Sequence, residues 1–154
     1  MTYSQLRHVG FLVDDVRKTA DFYVSAFGIG PFRTWEVGFF DVRVRGGAPQ
    51  SFTTRISLAR MGEAELELVE SHPMAGNAAF FDEVKRETVG CMHHLAFTVP
   101  NLEEAVAGFK QAGIDVLMAG QFTGGRFAYL DSEAKTGILY ELMEMTPRQP
   151  KAGR

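Results

Sequence analysis

The pattern of hydrophobic positions along the chain repeats. Residues 8–27 (HVGFLVDDVRKTADFYVSAF) and residues 94–113 (HLAFTVPNLEEAVAGFKQAG) share one pattern at an offset of 86 residues. In each copy, alternating apolar side chains are followed by apolar positions at helical spacing, which predicts a strand that leads into a helix. Because the whole strand–helix pattern recurs in phase, we interpret it as an internal repeat.

The alternation also assigns side chains to the two faces of each predicted strand. His8 and Gly10 lie on the face opposite the large apolar side chains, and so do His94 and Ala96 in the second copy. The small neighbours leave room for a ligand beside each histidine. His93 has the opposite parity, so we expect it against the core and outside any site.

Both predicted helices carry signals at their ends. Asp15 and Asn101 are expected N-caps, and Asn101 with Glu104 resembles a capping box. Gly28 and Gly113 stand where a left-handed C-cap is needed. The two copies therefore begin with the same strand–helix unit.

Further strands are predicted in both halves, at about 32–40, 51–60, 64–70, 115–119, 126–131 and 137–144. The last strand repeats as well, since LELVE at 66–70 matches YELME at 140–144 at an offset of 74 residues. The two offsets differ, so half one carries about a dozen extra residues. We place them in 41–52, where Gly46, Gly47 and Pro49 are typical of a turn.

These elements predict an α+β fold of two tandem βαβββ modules that form a curved, largely antiparallel sheet. We expect a single domain over 1–146, with module one at about 5–70, a linking helix at about 77–88 and module two at about 91–146. The polar, proline-containing tail, 147–154, is expected to be disordered.

Composition excludes several classes of protein. The 154 residues include 19 acidic and 16 basic side chains, which argues against a generally basic nucleic-acid binder. A single cysteine excludes an internal disulfide framework. The sequence has no run of about 18 apolar residues and no signal-peptide pattern, so we expect a cytoplasmic protein with no membrane partner.

Four side chains occupy two pairs of equivalent positions in the repeat. They are His8 and His94 in the first strands, and Glu67 and Glu141 in the last strands. A pseudo-two-fold axis would bring all four to one centre. Two imidazoles and two carboxylates suit one divalent ion, namely Fe, Mn, Co, Ni or Zn.

The sequence resembles the vicinal oxygen chelate superfamily, which contains glyoxalase I, methylmalonyl-CoA epimerase, extradiol dioxygenases and bleomycin-resistance proteins. The matching stretches are LRHVGFLVDDVRKTADFYVSAFGI, AELELVE, GCMHHLAFTVPNLEEAVAGFKQAGI and GILYELMEM. Among these groups, GCMHHLAFTV and AELELVESHP look most like methylmalonyl-CoA epimerase. The resemblance implies that His8, Glu67, His94 and Glu141 bind the metal, that the modules curl around it, and that the protein is a homodimer.

The resemblance further implies a metal-dependent epimerase or isomerase that acts on a carbon beside a carbonyl or thioester through an enolate. The candidate bases are Glu141, Glu67 and Glu36, although Glu36 can also be read as an exposed strand carboxylate. The candidate substrate contacts are Arg126, Trp35 and Phe52, of which the aromatic two can also be core residues.

Three other functions stay open at this point. A glyoxalase I-like lactoylglutathione lyase would use the same ligand set. An extradiol-type dioxygenase would need two histidines and one carboxylate, so a fourth ligand argues against it. A non-catalytic binding protein of the bleomycin-resistance type would generally lack the metal ligands that this sequence has. In each case the expected partner is a small molecule.

Overall fold

A computed structural model of the protein describes residues 5–76 and 92–147. Its elements are β1 (Leu6–Val13), α1 (Val16–Phe27), β2 (Arg33–Val44), β3 (Gln50–Met61), β4 (Ala64–Glu70), β5 (Ala75–Gly76), β6 (Met92–Thr98), α2 (Leu102–Gln111), β7 (Val116–Phe122), β8 (Gly125–Leu130), α3 (Glu133–Thr136) and β9 (Leu139–Met145). The linking helix expected at about 77–88 and most of the tail, 148–154, lie outside the described residues.

The strands form one sheet that closes on itself. Its order is β2–β7–β8–β9–β6–β1–β4–β3, and β3 pairs with β2 to complete a ring, while β5 is a short addition beside β3. Among the strand pairs of residues 5–76 and 92–147, only β1–β4 and β6–β9 are parallel, and the others are antiparallel. The α+β prediction with a largely antiparallel curved sheet is confirmed, and the curvature is strong enough to close the sheet into a barrel.

Each half of the barrel is a βαβββ module. The first contains β1, α1, β2, β3 and β4, and the second contains β6, α2, β7, β8 and β9. The modules meet at two antiparallel seams, β1–β6 and β2–β7. Equivalent strands therefore face each other at both seams, as a pseudo-two-fold relationship requires.

The extra residues of half one mainly lengthen a hairpin. Strands β2 and β3 have 12 residues each, whereas the equivalent β7 and β8 have 7 and 6. The prediction of a dozen inserted turn residues in 41–52 is therefore corrected, because β2 continues to Val44 through an irregularity between Phe39 and Val42. Asp41 at this irregularity has φ 49°. Since pairing with β7 begins at Phe39, residues 33–38 of β2 pair with β3 alone.

Polar side chains cap both long helices as expected. Asp15 Oδ1 accepts hydrogen bonds of 3.0 Å from the backbone N–H groups of Arg17 and Lys18. Asn101 Oδ1 accepts one of 3.0 Å from Glu104 N–H. Gly28 ends α1 with φ 66°, a left-handed conformation that glycine adopts without steric cost.

The repeated final strands also hold the helices in place. Glu70 Oε2 on β4 accepts a hydrogen bond from Val16 N–H at 3.4 Å, and Glu144 Oε2 on β9 accepts one from Leu102 N–H at 2.7 Å. Each carboxylate therefore meets the unsatisfied N–H groups and the positive end of the dipole at the first turn of its helix. The sequence match between the two final strands at Glu70 and Glu144 is therefore explained by their contacts with the helices, without any catalytic role.

Apolar packing occurs both inside and outside the barrel. Outside, Val16 and Ala20 of α1 pack with Val13 and Leu68, and Leu102 and Ala105 of α2 pack with Val99, Ala128, Leu130 and Leu142. A third cluster contains Val42, Phe52, Leu117, Met118, Phe127 and Leu139. Strand alternation puts Phe52, Phe127 and Leu139 on the same sheet face as Glu67 and Glu141. The barrel interior therefore has an apolar part beside a polar one. No helix within 5–76 and 92–147 is long and apolar enough to cross a membrane.

Candidate metal centre

Strand register brings the four predicted ligands to one face of the sheet. Across the β1–β6 seam, His8 is opposite Ala96 and His94 is opposite Gly10. Gly10 is in turn opposite Glu67 on β4, and Ala96 is opposite Glu141 on β9. Opposed residues point to the same face, so all four side chains enter the barrel interior.

The Nε2 atoms of His8 and His94 lie within contact distance of each other and of both carboxylates. His8 Nε2 is 2.9 Å from His94 Nε2 and 3.2 Å from both Glu67 Oε2 and Glu141 Oε2. His94 Nε2 is 3.3 Å from Glu67 Oε2 and 3.4 Å from Glu141 Oε2. All four residues are at most 9% exposed. The structure therefore brings the four predicted side chains into one buried group, and their role as metal ligands stays a prediction.

This arrangement fits a divalent cation. Donor atoms about 2.0–2.2 Å from one ion lie about 3–3.5 Å apart in tetrahedral or octahedral geometry, close to the separations seen here. The two Nε2 atoms, 2.9 Å apart, need a proton or a cation between them. Glu141 Oε2 is buried and accepts no hydrogen bond of standard geometry from the described residues. His8, Glu67 and His94 therefore form a group that could hold a metal ion, and Glu141 contacts both histidines beside it.

The two histidines differ in their affinity for protons. Burial alone lowers the pKa of His8, but the Glu67 and Glu141 carboxylates outweigh burial and raise that pKa to about 8. Burial lowers the pKa of His94 to about 3; the Glu141 carboxylate opposes this shift and the charge of His8 adds to it. At neutral pH and without a cation, the group therefore has a protonated His8 and a neutral His94.

Gly10 is required by the position of the His94 ring. A Cβ atom built on Gly10 would lie 2.0 Å from His94 Cε1 and 2.3 Å from His94 Nε2. The imidazole of His94 therefore occupies the space that we expected a ligand to use beside the small residues of β1. Room for a side chain, rather than room for a ligand, explains the glycine.

His93 is inside the site, contrary to the parity argument. Gly10 pairs with His94, while the next residue of β1, Phe11, pairs with Met92, so His93 is the extra residue of a β-bulge. The bulge interrupts the alternation of side chains and turns His93 towards its neighbour. His93 Nδ1 lies 2.9 Å from His94 Nδ1, and His93 is 4% exposed.

Tyr129 is a member of the site that the sequence did not reveal. It lies opposite Glu141 in the β8–β9 ladder, and its ring centre is 5.2 Å from that of His94 and 5.9 Å from that of His93. Burial raises the pKa of Tyr129 well above its usual value, and the charges of Glu141 and Glu67 raise it further. The alternation of GRFAYL gives its face within β8, but only the register places it beside Glu141.

Glu36 and Arg126 do not join this group. Glu36 lies on the opposite face of the sheet from Trp35, is 56% exposed and lies 3.5 Å from an Arg55 nitrogen, so the alternative reading as an exposed strand carboxylate is the right one. Arg126 forms an ion pair with Glu103 and a 2.7 Å ion pair with Glu144 at the start of α2. Its guanidinium is thus engaged outside the barrel.

The two aromatic candidates differ in their surroundings. Phe52 is 5% exposed and stacks on Phe39 with ring centres 4.9 Å apart, so it is part of the interior apolar cluster. Trp35 is 40% exposed, and the Arg33 guanidinium lies 5.9 Å from its ring centre. Trp35 thus stands on the half of β2 that pairs with β3 alone.

Comparison with known proteins gives one family match and several relatives. The family described as "Glyoxalase/Bleomycin resistance protein/Dioxygenase superfamily" matches residues 7–129. The chain is 26% identical over 141 residues to the mitochondrial methylmalonyl-CoA epimerase of Bos taurus, with 90% of this chain and 73% of the relative covered.

Solved structures show the same fold. A Streptomyces coelicolor methylmalonyl-CoA epimerase variant in complex with 2-nitronate-propionyl-CoA is 20% identical, with a TM-score of 0.64 over 97% of this chain and 99% of that chain. The methylmalonyl-CoA epimerase of Mycobacterium tuberculosis is 20% identical, with a TM-score of 0.61 over 96% and 94%. The expected homodimer stays a prediction, since a single chain is described.

Proposed function

The chain belongs to the glyoxalase/bleomycin resistance protein/dioxygenase superfamily, and on that premise we propose that it is a metal-dependent epimerase or isomerase acting on a carbon beside a carbonyl or thioester. The observation that carries this proposal is the buried group of two imidazoles and two carboxylates, in which the two Nε2 atoms lie 2.9 Å apart and each lies 3.2–3.4 Å from Glu67 Oε2 and Glu141 Oε2. We assign His8, Glu67, His94 and Glu141 as its metal ligands.

When bound, a divalent cation supplies a Lewis acid that withdraws charge from a carbonyl oxygen and makes the neighbouring carbon more acidic. Everything else that the reaction needs must come from the side chains around it. His8 and His94 direct their Nε2 atoms to the same point from neighbouring strands. These two nitrogen atoms would hold the cation and so would orient the carbonyl oxygen of the substrate.

The two carboxylates suit the proton transfers of an epimerase. Such an enzyme removes a proton from one face of a carbon and returns a proton to the other. Glu67 approaches the histidine pair from β4 on one side, and Glu141 approaches from β9 on the other. With Glu36 on the outer face, we assign the proton transfers to Glu67 and Glu141.

Apolar side chains surround the donor group and strengthen the electrostatic interactions within it. Phe127, Leu139 and the ring of Tyr129 form part of the apolar cluster next to the donor group. Charges interact more strongly where water is excluded, so the carboxylates here interact with a bound charged group more strongly than they would in solution. Tyr129, with a raised pKa, stays a neutral phenol beside Glu141.

The relatives suggest the class of substrate. Similar proteins are named methylmalonyl-CoA epimerase, and one is described in complex with 2-nitronate-propionyl-CoA. We therefore propose an acyl-CoA thioester with an acidic hydrogen on the carbon beside the thioester. The test is incubation of (2S)- and (2R)-methylmalonyl-CoA in deuterated water with protein loaded with Co²⁺, Ni²⁺, Zn²⁺ or Mn²⁺, followed by mass spectrometry.

Incorporation of deuterium that Glu67→Gln and Glu141→Gln abolish, and that Glu36→Gln leaves intact, would support this proposal. No exchange with any of the four ions would exclude this substrate. Equal loss in Glu36→Gln would exclude our assignment of the bases.

A second candidate is a glyoxalase I-like lyase, because its reaction also moves a proton beside a carbonyl and uses the same two-histidine, two-carboxylate set. The discriminating test is disappearance of the methylglyoxal–glutathione hemithioacetal in the presence of Ni²⁺ or Zn²⁺. Turnover of the hemithioacetal without exchange into methylmalonyl-CoA would favour the lyase.

A further inference from the structure

The β-bulge at His93 puts a second histidine directly behind a proposed metal ligand. His93 Nδ1 and His94 Nδ1 lie 2.9 Å apart, and the two rings are perpendicular. Two neutral imidazole nitrogens at this distance share one hydrogen bond, so one of them carries the proton and the other accepts it. Which one carries it determines the tautomer of His94.

The other ring nitrogen of His94 limits the choice. His94 Nε2 is 2.9 Å from His8 Nε2, and a cation in the donor group needs His94 Nε2 without a proton. A neutral His94 with a bare Nε2 must carry its proton on Nδ1, where His93 Nδ1 can accept it. This tautomer leaves His94 Nε2 free for a cation and directs the Nδ1 proton to His93 Nδ1, 2.9 Å away.

We propose that His93 is a positioning residue, which accepts the His94 Nδ1–H hydrogen bond and thereby fixes both the tautomer and the orientation of His94 towards a bound cation. This inference rests on the cation-binding part of the proposed function and not on any particular substrate. Nitrogen or oxygen acceptors behind a metal-binding histidine raise its basicity and hold its ring in place.

The fold supplies this acceptor in only one of the two modules. Module one has an irregularity at the equivalent place, because Leu6 pairs with Phe97 while His8 pairs with Ala96, so Arg7 is the extra residue there. Arg7 is 42% exposed and lies 3.4 Å from Glu65. The two bulges are thus equivalent in position, yet only the bulge of β6 contacts a proposed ligand through an imidazole.

The variants for the test are His93→Leu, His93→Asn and the exposed control His72→Leu. Leucine removes the acceptor, whereas asparagine keeps a polar atom two bonds beyond Cβ, where Nδ1 stands. We expect Zn²⁺ affinity, measured by calorimetry, to fall about 10- to 100-fold in His93→Leu and to recover largely in His93→Asn. Equal weakening in both His93 variants, or no weakening in His93→Leu, would overturn the proposal.

A second measurement needs neither metal nor substrate. Nitrogen-15 NMR of the imidazoles in the metal-free protein distinguishes the two neutral tautomers of His94. We expect Nδ1–H for His94 in the wild type and in the Zn²⁺-loaded protein, and a mixture of tautomers in His93→Leu. An Nε2–H tautomer for His94 in the metal-free wild type would overturn the proposal even if the protein bound Zn²⁺. Absence of Zn²⁺ binding with Nδ1–H in place would instead count against the proposed function alone.

Discussion

The imidazole of His94 lies across the backbone of Gly10, its direct partner in the β1–β6 ladder. The ring fills the volume in which any side chain at position 10 would begin. The lack of a side chain at Gly10 on β1 therefore makes room for the ring of His94, the proposed ligand on β6. The relationship makes Gly10 a determinant of the site, although it has no group that could bind a metal or a substrate.

Replacing Gly10 with alanine is expected to displace the His94 ring. The added Cβ would lie 2.0 Å from His94 Cε1, so the ring or the strand must move. Overpacking of this kind costs about 1–3 kcal/mol of folding free energy. We expect weaker Zn²⁺ binding by calorimetry and a lower free energy of unfolding in urea.

The matched control is Gly38→Ala on β2, where the nearest atom, Thr53 Oγ1, lies 4.0 Å from the added Cβ. This variant should bind Zn²⁺ as the wild type does. Normal Zn²⁺ binding by Gly10→Ala would show that His94 can bind the ion from another rotamer.

Cation affinity should rise with pH up to about 8. Below the raised pKa of His8, a cation must displace the His8 proton, whereas above it no proton is displaced. The apparent association constant should therefore increase about tenfold per pH unit below pH 8 and level off above it. Calorimetry in buffers of different ionisation enthalpy measures the protons released, and we expect nearly one at pH 7. Release of none at pH 7 would contradict a protonated His8.

Removal of one histidine should remove the metal. Protein purified without chelator is expected to contain about one transition-metal ion per chain by mass spectrometry, and His94→Ala should contain almost none, because half of the nitrogen donors are lost. His72→Ala is the control, since the His72 side chain is 68% exposed and lies on the surface. Equal metal content in all three proteins would place the ion elsewhere.

Arg126 is expected to have a structural role only. Its guanidinium pairs with Glu103 and Glu144 at the first turn of α2, on the outside of the barrel. Arg126→Gln should therefore leave kcat and KM within about twofold of the wild type for any substrate that the screen identifies. A large rise in KM without loss of secondary structure would return Arg126 to the list of substrate contacts.

The sequence could predict the members of the donor group because its hydrophobic periodicity reveals the internal repeat. His8 and His94 share one position in the two copies, and so do Glu67 and Glu141, so two-fold pairing of the copies is enough to gather them. The faces of His8 and His94 followed from alternation, which holds wherever a strand is regular. The capped ends of α1 and α2 followed from local hydrogen bonding alone.

The errors arise where the structure depends on pairing between strands. His93 was assigned to the wrong face because a bulge is defined by the partner strand and leaves no mark in the alternation of its own. Tyr129 was missed, and Glu36 was considered, because only the register decides which β8 and β2 side chains stand beside the donors. The length of the β2–β3 hairpin likewise needs the partner strand to define it.

The β1–β6 seam divides the donor set equally, with one imidazole and one carboxylate from each module. Neither module alone therefore supplies the full donor group, and the proposed metal site needs both. At these four positions, and at Gly10 beneath His94, a substitution in one module alters the packing of side chains in the other. The hairpins contribute no member of the donor set, and they differ between the modules, with strands of 12 residues in one and of 7 and 6 in the other.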